Sequence, residues 1–188
     1  MPASSTSLAM IADIGGTNAR FALTDLSAPT PQVLHAKTLN AAEFASLQHA
    51  AEHYLAGVGV KPRHAAFALA CPVNGEEIRL TNRAWSFTRT ELKRALDVES
   101  LHLLNDFGAV AWSVPGLRTN EHVALHGDED GLQGPVTVLG PGTGLGVAML
   151  VGHEKNGWQV VETEGGHISF AALGDEEIAI ARWFTARF

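Results

Sequence analysis

The sequence predicts an α/β protein with two lobes, and three observations lead to this prediction. Three strand-like segments precede the first helical segment, whereas a simple Rossmann unit begins with one strand and a helix. Strand-like and helical segments then alternate along the chain. A glycine-rich strand–turn–strand near the N-terminus is repeated in the second half. Polar turn residues after a helix at 115–120 place the boundary there, which gives domains 1–117 and 118–188.

The predicted strands of the first lobe are apolar runs bounded by glycine, proline or polar turns. They cover residues 8–14, 20–25, 33–39, 64–71, 77–81 and 99–104. Two helices are expected to begin at capping-box patterns, Asn40 with Glu43 and Thr88 with Glu91, and a third covers 109–114. Gly57 and Gly59 are expected to end the first helix near residue 56.

The second lobe is predicted to contain four strands and one helix. The strands cover 121–126, 135–139, 147–151 and 158–162, and an exposed acidic turn covers 128–131. Asp175 is expected to cap the helix. Its apolar residues are expected to face a core, and these are Ile178, Ala181 and Trp183 or Phe184.

Composition excludes several classes of function. The net charge is −7 and no basic stripe is present, which argues against nucleic acid as a partner. Cys71 is the only cysteine, so the chain cannot form an internal disulfide or a cysteine-based zinc site, and a cytoplasmic location fits. No apolar run approaches the roughly 20 residues of a membrane helix. The polar start of the chain is expected to be neither a signal peptide nor an anchor.

The first helix contains a literal H-x-x-E-H pattern at 49–53, which is typical of a class of metalloproteases. We reject this interpretation, because His49 and His53 lie opposite the apolar stripe and are expected to face solvent.

The first glycine-rich turn has the groups of a phosphate-binding cradle. Gly15 and Gly16 lack Cβ atoms and permit positive φ, and Thr17 and Asn18 add side-chain donors. Asp13, at the end of the preceding strand, would face a metal ion. A hairpin turn that needs glycine only for its geometry remains the alternative.

The second such loop follows the strand at 135–139 and has glycine at every second position from Gly140 to Gly146. No Gly-Lys-Ser/Thr follows, and a strand rather than a helix comes next, so the loop is not a Walker A motif. Its amides, including those of Gly142, Thr143 and Gly144, are suited to wrapping phosphate oxygens. Two similar loops in two half-chains suggest a nucleotide held between related lobes.

Two further strand ends carry polar groups. Asp106 follows Asn105 and would take a proton from a substrate hydroxyl that Asn105 orients, or would merely cap the next helix. Glu164 and His167 flank two glycines and would bind sugar hydroxyls, with an ordinary polar turn as the alternative.

Together these segments resemble the bacterial glucokinases of the actin-like ATPase superfamily, in order and over nearly the whole chain. The matching segments are 13–20, 70–72, Thr81-Asn82-x-x-Trp85, 105–107, 140–147 and 164–167. The resemblance implies an actin-like (ribonuclease H-like) fold with mixed sheets and flanking helices. No cysteine follows His167, so the chain is similar to the zinc-free members of this group.

The resemblance also implies an activity, the ATP-dependent phosphorylation of glucose at its C6 hydroxyl in glycolysis. Asp106 would be the general base, and Asn105, Glu164 and His167 would hold the other hydroxyls. Asp13 would act on Mg²⁺ through water. The phosphate contacts would come from Gly15, Gly16, Thr17, Asn18, Gly142, Thr143 and Gly144.

The chain departs from this family because it ends early, so the second lobe is expected to be incomplete. We then expect exposed apolar surface, weak or absent activity, and a tendency to aggregate or form a homodimer. A non-catalytic sugar-sensing protein on the same scaffold is the alternative function, and Asp106 favours the enzyme over it. An actin-like filament protein would not need Glu164 and His167.

Overall fold

The computed structural model describes residues 7–81, 83–127, 132, 134–142 and 144–188. The chain divides into two compact units, Met1–Asp128 and Glu129–Phe188. The domain boundary expected from the sequence lies earlier, after residue 117, and it stays a prediction. The expected acidic turn at 128–131 and the motif residues Asn82 and Thr143 lie outside the described residues.

The first unit is built on a five-stranded mixed sheet and a small hairpin. Its strands are β1 (Leu8–Ile14), β2 (Asn18–Asp25), β3 (Leu34–Asn40), β4 (His64–Leu69), β5 (Glu77–Arg79), β6 (Ser86–Thr88) and β7 (Ser100–Asn105). The sheet order is β3-β2-β1-β4-β7, with β1, β4 and β7 parallel. β2 pairs antiparallel with both β1 and β3, while β5 and β6 form the separate hairpin. β6 was not among the strands predicted from the sequence.

The first helix, α1 (Leu47–Val58), begins later than the sequence predicted. Asn40 caps only a single 3-10 turn, and Phe44 after that turn is extended with φ −122°, so the helix cannot continue from it. The cap of α1 is Ser46, whose Oγ accepts a hydrogen bond from the His49 amide at 3.2 Å. The helix ends at Gly59, which adopts φ 65° as a left-handed cap.

The other two helices of this unit are α2 (Arg89–Ala95) and α3 (Asp106–Ser113). The predicted Thr88–Glu91 capping box of α2 is confirmed. α3 begins three residues before the predicted start, because Asn105 supplies its cap.

Aromatic packing joins α1 to the sheet. The Tyr54 ring stacks on Phe21 at a centroid distance of 5.4 Å, and Phe67 meets Phe21 edge-on at 6.2 Å. All three side chains are buried. His49 and His53 lie on the exposed side of α1, as predicted, which agrees with rejecting the protease interpretation.

The second unit contains an antiparallel sheet of β8 (Val136–Pro141), β9 (Leu145–His153) and β10 (Gly157–Thr163), followed by α4 (Gly174–Thr185). The strand predicted at 121–126 is wrong, since residues 121–126 pair with no other strand. The predicted cap of α4 is also wrong, because Asp175 lies in its first turn and Leu173 occupies the cap position without a side-chain bond.

The apolar side of α4 was predicted to face a core, and this prediction is wrong as well. Ile178, Trp183 and Phe184 are 36%, 50% and 53% exposed. Within the part of the chain that the structure describes, no helix is both long enough and apolar enough to cross a membrane.

Candidate active site

One edge of the five-stranded sheet brings two of the four predicted loops together. Because β1, β4 and β7 are parallel, their carboxyl ends share this edge. Ile14 pairs with Leu69, and Leu69 pairs with Asn105, so the three strands end in one row. Two strand spacings, roughly 10 Å, therefore separate the first glycine turn from Asn105 and Asp106.

The first glycine turn leaves its backbone open to a ligand. The Gly15 amide donates to the Asn18 carbonyl at 3.0 Å and closes the turn. A Cβ added at Gly15 would come no closer than 3.7 Å to that carbonyl oxygen, which is ordinary contact. Neither Gly15 nor Gly16 has a positive φ. The fold alone thus does not require glycine at position 15, whereas close approach of a ligand would.

Asp13 lies beside this turn and is paired with Arg20 on the adjacent strand. The Arg20 Nη1 to Asp13 Oδ2 distance is 2.7 Å, and both side chains are about half exposed. Among the described residues no group of three or more His, Cys, Asp or Glu side chains is placed to hold a metal ion. A single carboxylate fits Mg²⁺ held largely through water, because this ion usually keeps several of its waters.

Asn105 and Asp106 have separate roles at the start of α3. Asn105 Oδ1 accepts from the amides of Phe107 at 2.9 Å and Gly108 at 3.4 Å, so Asn105 is the helix cap. The alternative in which Asp106 is the cap is therefore wrong. Asp106 is the first helical residue, and its Oδ1 accepts from the Phe107 amide at 2.8 Å. This bond restrains a half-buried carboxylate at the edge of the sheet.

Cys71 is the buried neighbour of this carboxylate. Its thiol is buried, and burial together with the negative charge of Asp106 raises the pKa of Cys71 above its ordinary value of 9.0. Cys71 is consequently a neutral thiol near pH 7. It adds no second negative charge beside Asp106.

The second glycine loop joins β8 to β9 in the other unit. Gly140 pairs with Gly146 and Pro141 with Leu145, and the Gly142 amide donates to the Gly144 carbonyl at 2.7 Å. A Cβ at Gly142 would lie 3.8 Å from the nearest atom, and one at Gly144 would meet nothing within 4 Å. Here too the missing side chains leave space beside the backbone.

Glu164 and His167 lie in a 3-10 turn that packs against the start of β9. Their side chains pair, with His167 Nδ1 3.1 Å from Glu164 Oε2, and both are exposed. A Cβ on Gly166 would fall 1.7 Å from the Leu145 carbonyl oxygen, so only glycine fits there. The second unit therefore brings the second glycine loop and the Glu164–His167 turn together.

Two residues that contact these loops were not identified as site residues from the sequence. Arg83 donates to backbone carbonyls of the first glycine turn and of Ala41. Thr163 Oγ1 donates to the Val147 carbonyl at 2.9 Å and accepts from the Gly165 amide at 3.2 Å, which fixes the Glu164–His167 turn. Thr163 directly precedes a recognisable motif, whereas Arg83 lies 67 residues from its partner in the turn.

Comparison with known proteins identifies the family of this chain. A family model described as Glucokinase matches residues 10–188. The glucokinase of Chromobacterium violaceum is 42% identical over 180 residues, which cover 95% of this chain and 51% of that protein. The glucokinase of Photorhabdus laumondii is 40% identical over 179 residues, which cover 95% of this chain and 55% of that protein. The chain spans about half the length of the curated relatives it matches.

Solved structures agree with this relationship. A glucokinase from an Antarctic psychrotroph has a TM-score of 0.81 and 38% identity, covering 94% of this chain and 56% of that one. The Balamuthia mandrillaris glucokinase, solved in complex with glucose, has a TM-score of 0.71 and 26% identity. The match covers 95% of this chain and 53% of that one. A Thermus thermophilus ROK hexokinase has a TM-score of 0.58 at 18% identity, and the match covers 85% of this chain and 50% of that one. This similarity shows only the shared fold. The predicted actin-like ATPase fold is confirmed, and the chain belongs to the glucokinase family.

Proposed function

We propose that this chain takes part in the phosphorylation of glucose by ATP at the C6 hydroxyl, giving glucose 6-phosphate and ADP. The observation that carries the proposal is the shared sheet edge, where an open glycine turn lies near Asp106 in a chain of the glucokinase family. The proposed substrate agrees with the names of the relatives and with the glucose complex of one of them.

In this mechanism Asp106 is the general base. Its carboxylate takes the proton from the C6 hydroxyl, and the C6 oxygen forms a bond to the γ-phosphorus. The bond from that phosphorus to the β–γ bridging oxygen breaks, and ADP leaves with the electron pair of this bond. Asn105, Glu164 and His167 would hold the remaining sugar hydroxyls and orient the reacting one.

The glycine loops are proposed to bind the phosphates. The first supplies Gly15, Gly16, Thr17 and Asn18, and the second supplies Gly142, Thr143 and Gly144. Support comes from the space left at Gly15, Gly142 and Gly144, where the fold itself would tolerate a Cβ. Because the Gly15 and Gly142 amides donate within their own turns, the other backbone amides of these loops would bind the phosphate oxygens.

Asp13 is proposed to hold Mg²⁺ through water. The bound ion would neutralise charge on the phosphate oxygens during transfer. When no ion is bound, Arg20 pairs with Asp13, which would reduce the repulsion between this carboxylate and the incoming phosphates.

The test follows ADP release by the purified chain with magnesium ATP, with and without glucose, in the wild type and in Asp106→Asn. Because the chain spans about half the length of its relatives, we expect the glucose-dependent release to be weak. It should fall by about 10²- to 10⁴-fold in the variant, the usual contribution of a general base. Asp97→Asn is the matched control, because Asp97 makes an exposed ion pair with Lys61 away from the site.

Two results would contradict the proposal. Equal turnover in the wild type and in Asp106→Asn would remove the general-base role. Absence of any glucose-stimulated ADP release would contradict catalysis by this chain on its own but not its family membership. Glucose binding measured by calorimetry would then test the sugar site separately.

A further inference from the structure

We propose that Arg83 is a positioning residue that orients the Gly16–Thr17 peptide, so that the Thr17 N–H points outward and donates to a phosphate oxygen. The identity of the ligand rests on the proposed function. The orientation of the peptide rests only on contacts within the first unit.

The Arg83 guanidinium is held by three groups. Its Nε donates to the Gly16 carbonyl at 3.0 Å, and its Nη1 donates to the Ala41 carbonyl at 2.6 Å. Its Cζ lies 5.1 Å from the centroid of the Trp85 ring, which is within cation–π range. Trp85 is buried and anchored by a bond from its Nε1 to the Phe44 carbonyl at 3.2 Å.

The hydrogen bond from Arg83 to the Gly16 carbonyl also determines the direction of the Thr17 amide. The described chain has no cis peptide bonds, and in a trans peptide the C=O and N–H point in opposite directions. Because the Gly16 carbonyl points toward Arg83, the Thr17 N–H points away from it. A peptide that follows two glycines has few steric barriers to flipping, so this orientation needs an external partner.

A second contact fixes the following peptide in the same way. The Ala41 amide donates to the Thr17 carbonyl at 2.9 Å, while the Ala41 carbonyl accepts from Arg83. Arg83 and Ala41 therefore form a hydrogen bond with each other, and each also forms one with a carbonyl of the turn. The guanidinium also places a positive charge behind the turn, which favours an anion in front of it.

The test uses NMR on the full 188-residue chain, labelled with ¹⁵N and ¹³C, with inorganic tripolyphosphate and then ATP as probes. Arg83→Met removes the donors and the charge, and Arg83→Lys keeps the charge without the planar fork. Arg79→Met is the matched control, because Arg79 is exposed and bonds only to Glu77 in the described contacts.

Without ligand, we expect Arg83→Met to shift the Gly16 carbonyl and Thr17 amide resonances, and Arg79→Met to leave them unchanged. With tripolyphosphate, we expect about tenfold weaker binding in Arg83→Met, which corresponds to about 1.4 kcal/mol. Arg83→Lys should recover only part of this affinity. Thermal unfolding checks that each variant is folded, and Arg83→Gln replaces Arg83→Met if the latter is not.

Unchanged resonances and unchanged affinity in Arg83→Met would overturn the proposal. Full recovery by Arg83→Lys would overturn the orienting role and leave only a charge effect. If the wild type binds neither probe, the phosphate role and the nucleotide part of the proposed function fail, while the ligand-free resonances still decide whether Arg83 orients the peptide.

Discussion

Two glycines in the loops of the second unit differ in why a side chain is absent. At Gly166 a Cβ would lie 1.7 Å from the Leu145 carbonyl oxygen, so the backbone itself forbids a side chain. At Gly144 nothing lies within 4 Å of the added atom. One glycine is thus required by packing, and the other leaves space that a ligand would use.

We expect Gly166→Ala to destabilise the turn against β9, at a cost of about 1–3 kcal/mol, which is typical of overpacking. Hydrogen exchange of the β9 amides would measure this as faster exchange than in the wild type. Gly144→Ala is the matched variant. We expect its amides to exchange as in the wild type and its binding of tripolyphosphate to be weaker. If both variants exchange alike, the close approach at Gly166 does not constrain the turn.

The sequence predicted some site residues at this scale and missed others for a physical reason. Asn105 and Asp106 follow an apolar strand, and the rule that ligands bind at the carboxyl ends of parallel strands places them near the first turn. Arg83 occupies an unspecified position of the Thr81-Asn82-x-x-Trp85 segment, and its role depends on a tertiary contact with Gly16. Such contacts arise from packing across the chain, which spacing alone does not reveal.

At the scale of helices and strands, local caps were predictable only where the following residues continued the helix. The Thr88–Glu91 box was confirmed because α2 follows directly. The similar pattern at Asn40 failed because Phe44 is extended and the chain restarts at Ser46. The three-residue strand β6 is too short to show an alternating pattern, so its partner β5 determines it.

We expect Ser46→Ala to destabilise the first unit by about 1 kcal/mol, because Ser46 caps α1 and its loss leaves the His49 amide without that acceptor. Urea unfolding followed by far-UV circular dichroism measures the change. Ser46→Asp keeps an acceptor at the cap and should unfold near the wild-type midpoint. A wild-type midpoint in Ser46→Ala would mean that Ser46 contributes nothing as a cap.

At the scale of the whole molecule, the two units differ in how much apolar surface they bury. The main hydrophobic cluster lies entirely within the first unit and includes Tyr54, Phe21 and Phe67. Among the described residues of the second unit, only Ala148 and Leu150 are fully buried, and both belong to β9. Since burial supplies most of the favourable free energy of folding, the first unit should be the more stable.

Hydrogen exchange of the whole chain, measured by mass spectrometry, should therefore show two classes of amide. We expect slow exchange in β1, β4 and α1, and faster exchange throughout β8, β9 and β10, because a region with few buried apolar contacts opens at lower free energy. Leu150→Ala should accelerate exchange in β8, β9 and β10, because Leu150 pairs with both neighbouring strands, whereas Phe67→Ala should accelerate it in the first sheet. A single exchange class that responds equally to both substitutions would mean that the units unfold as one, and that the second unit draws its stability from the first.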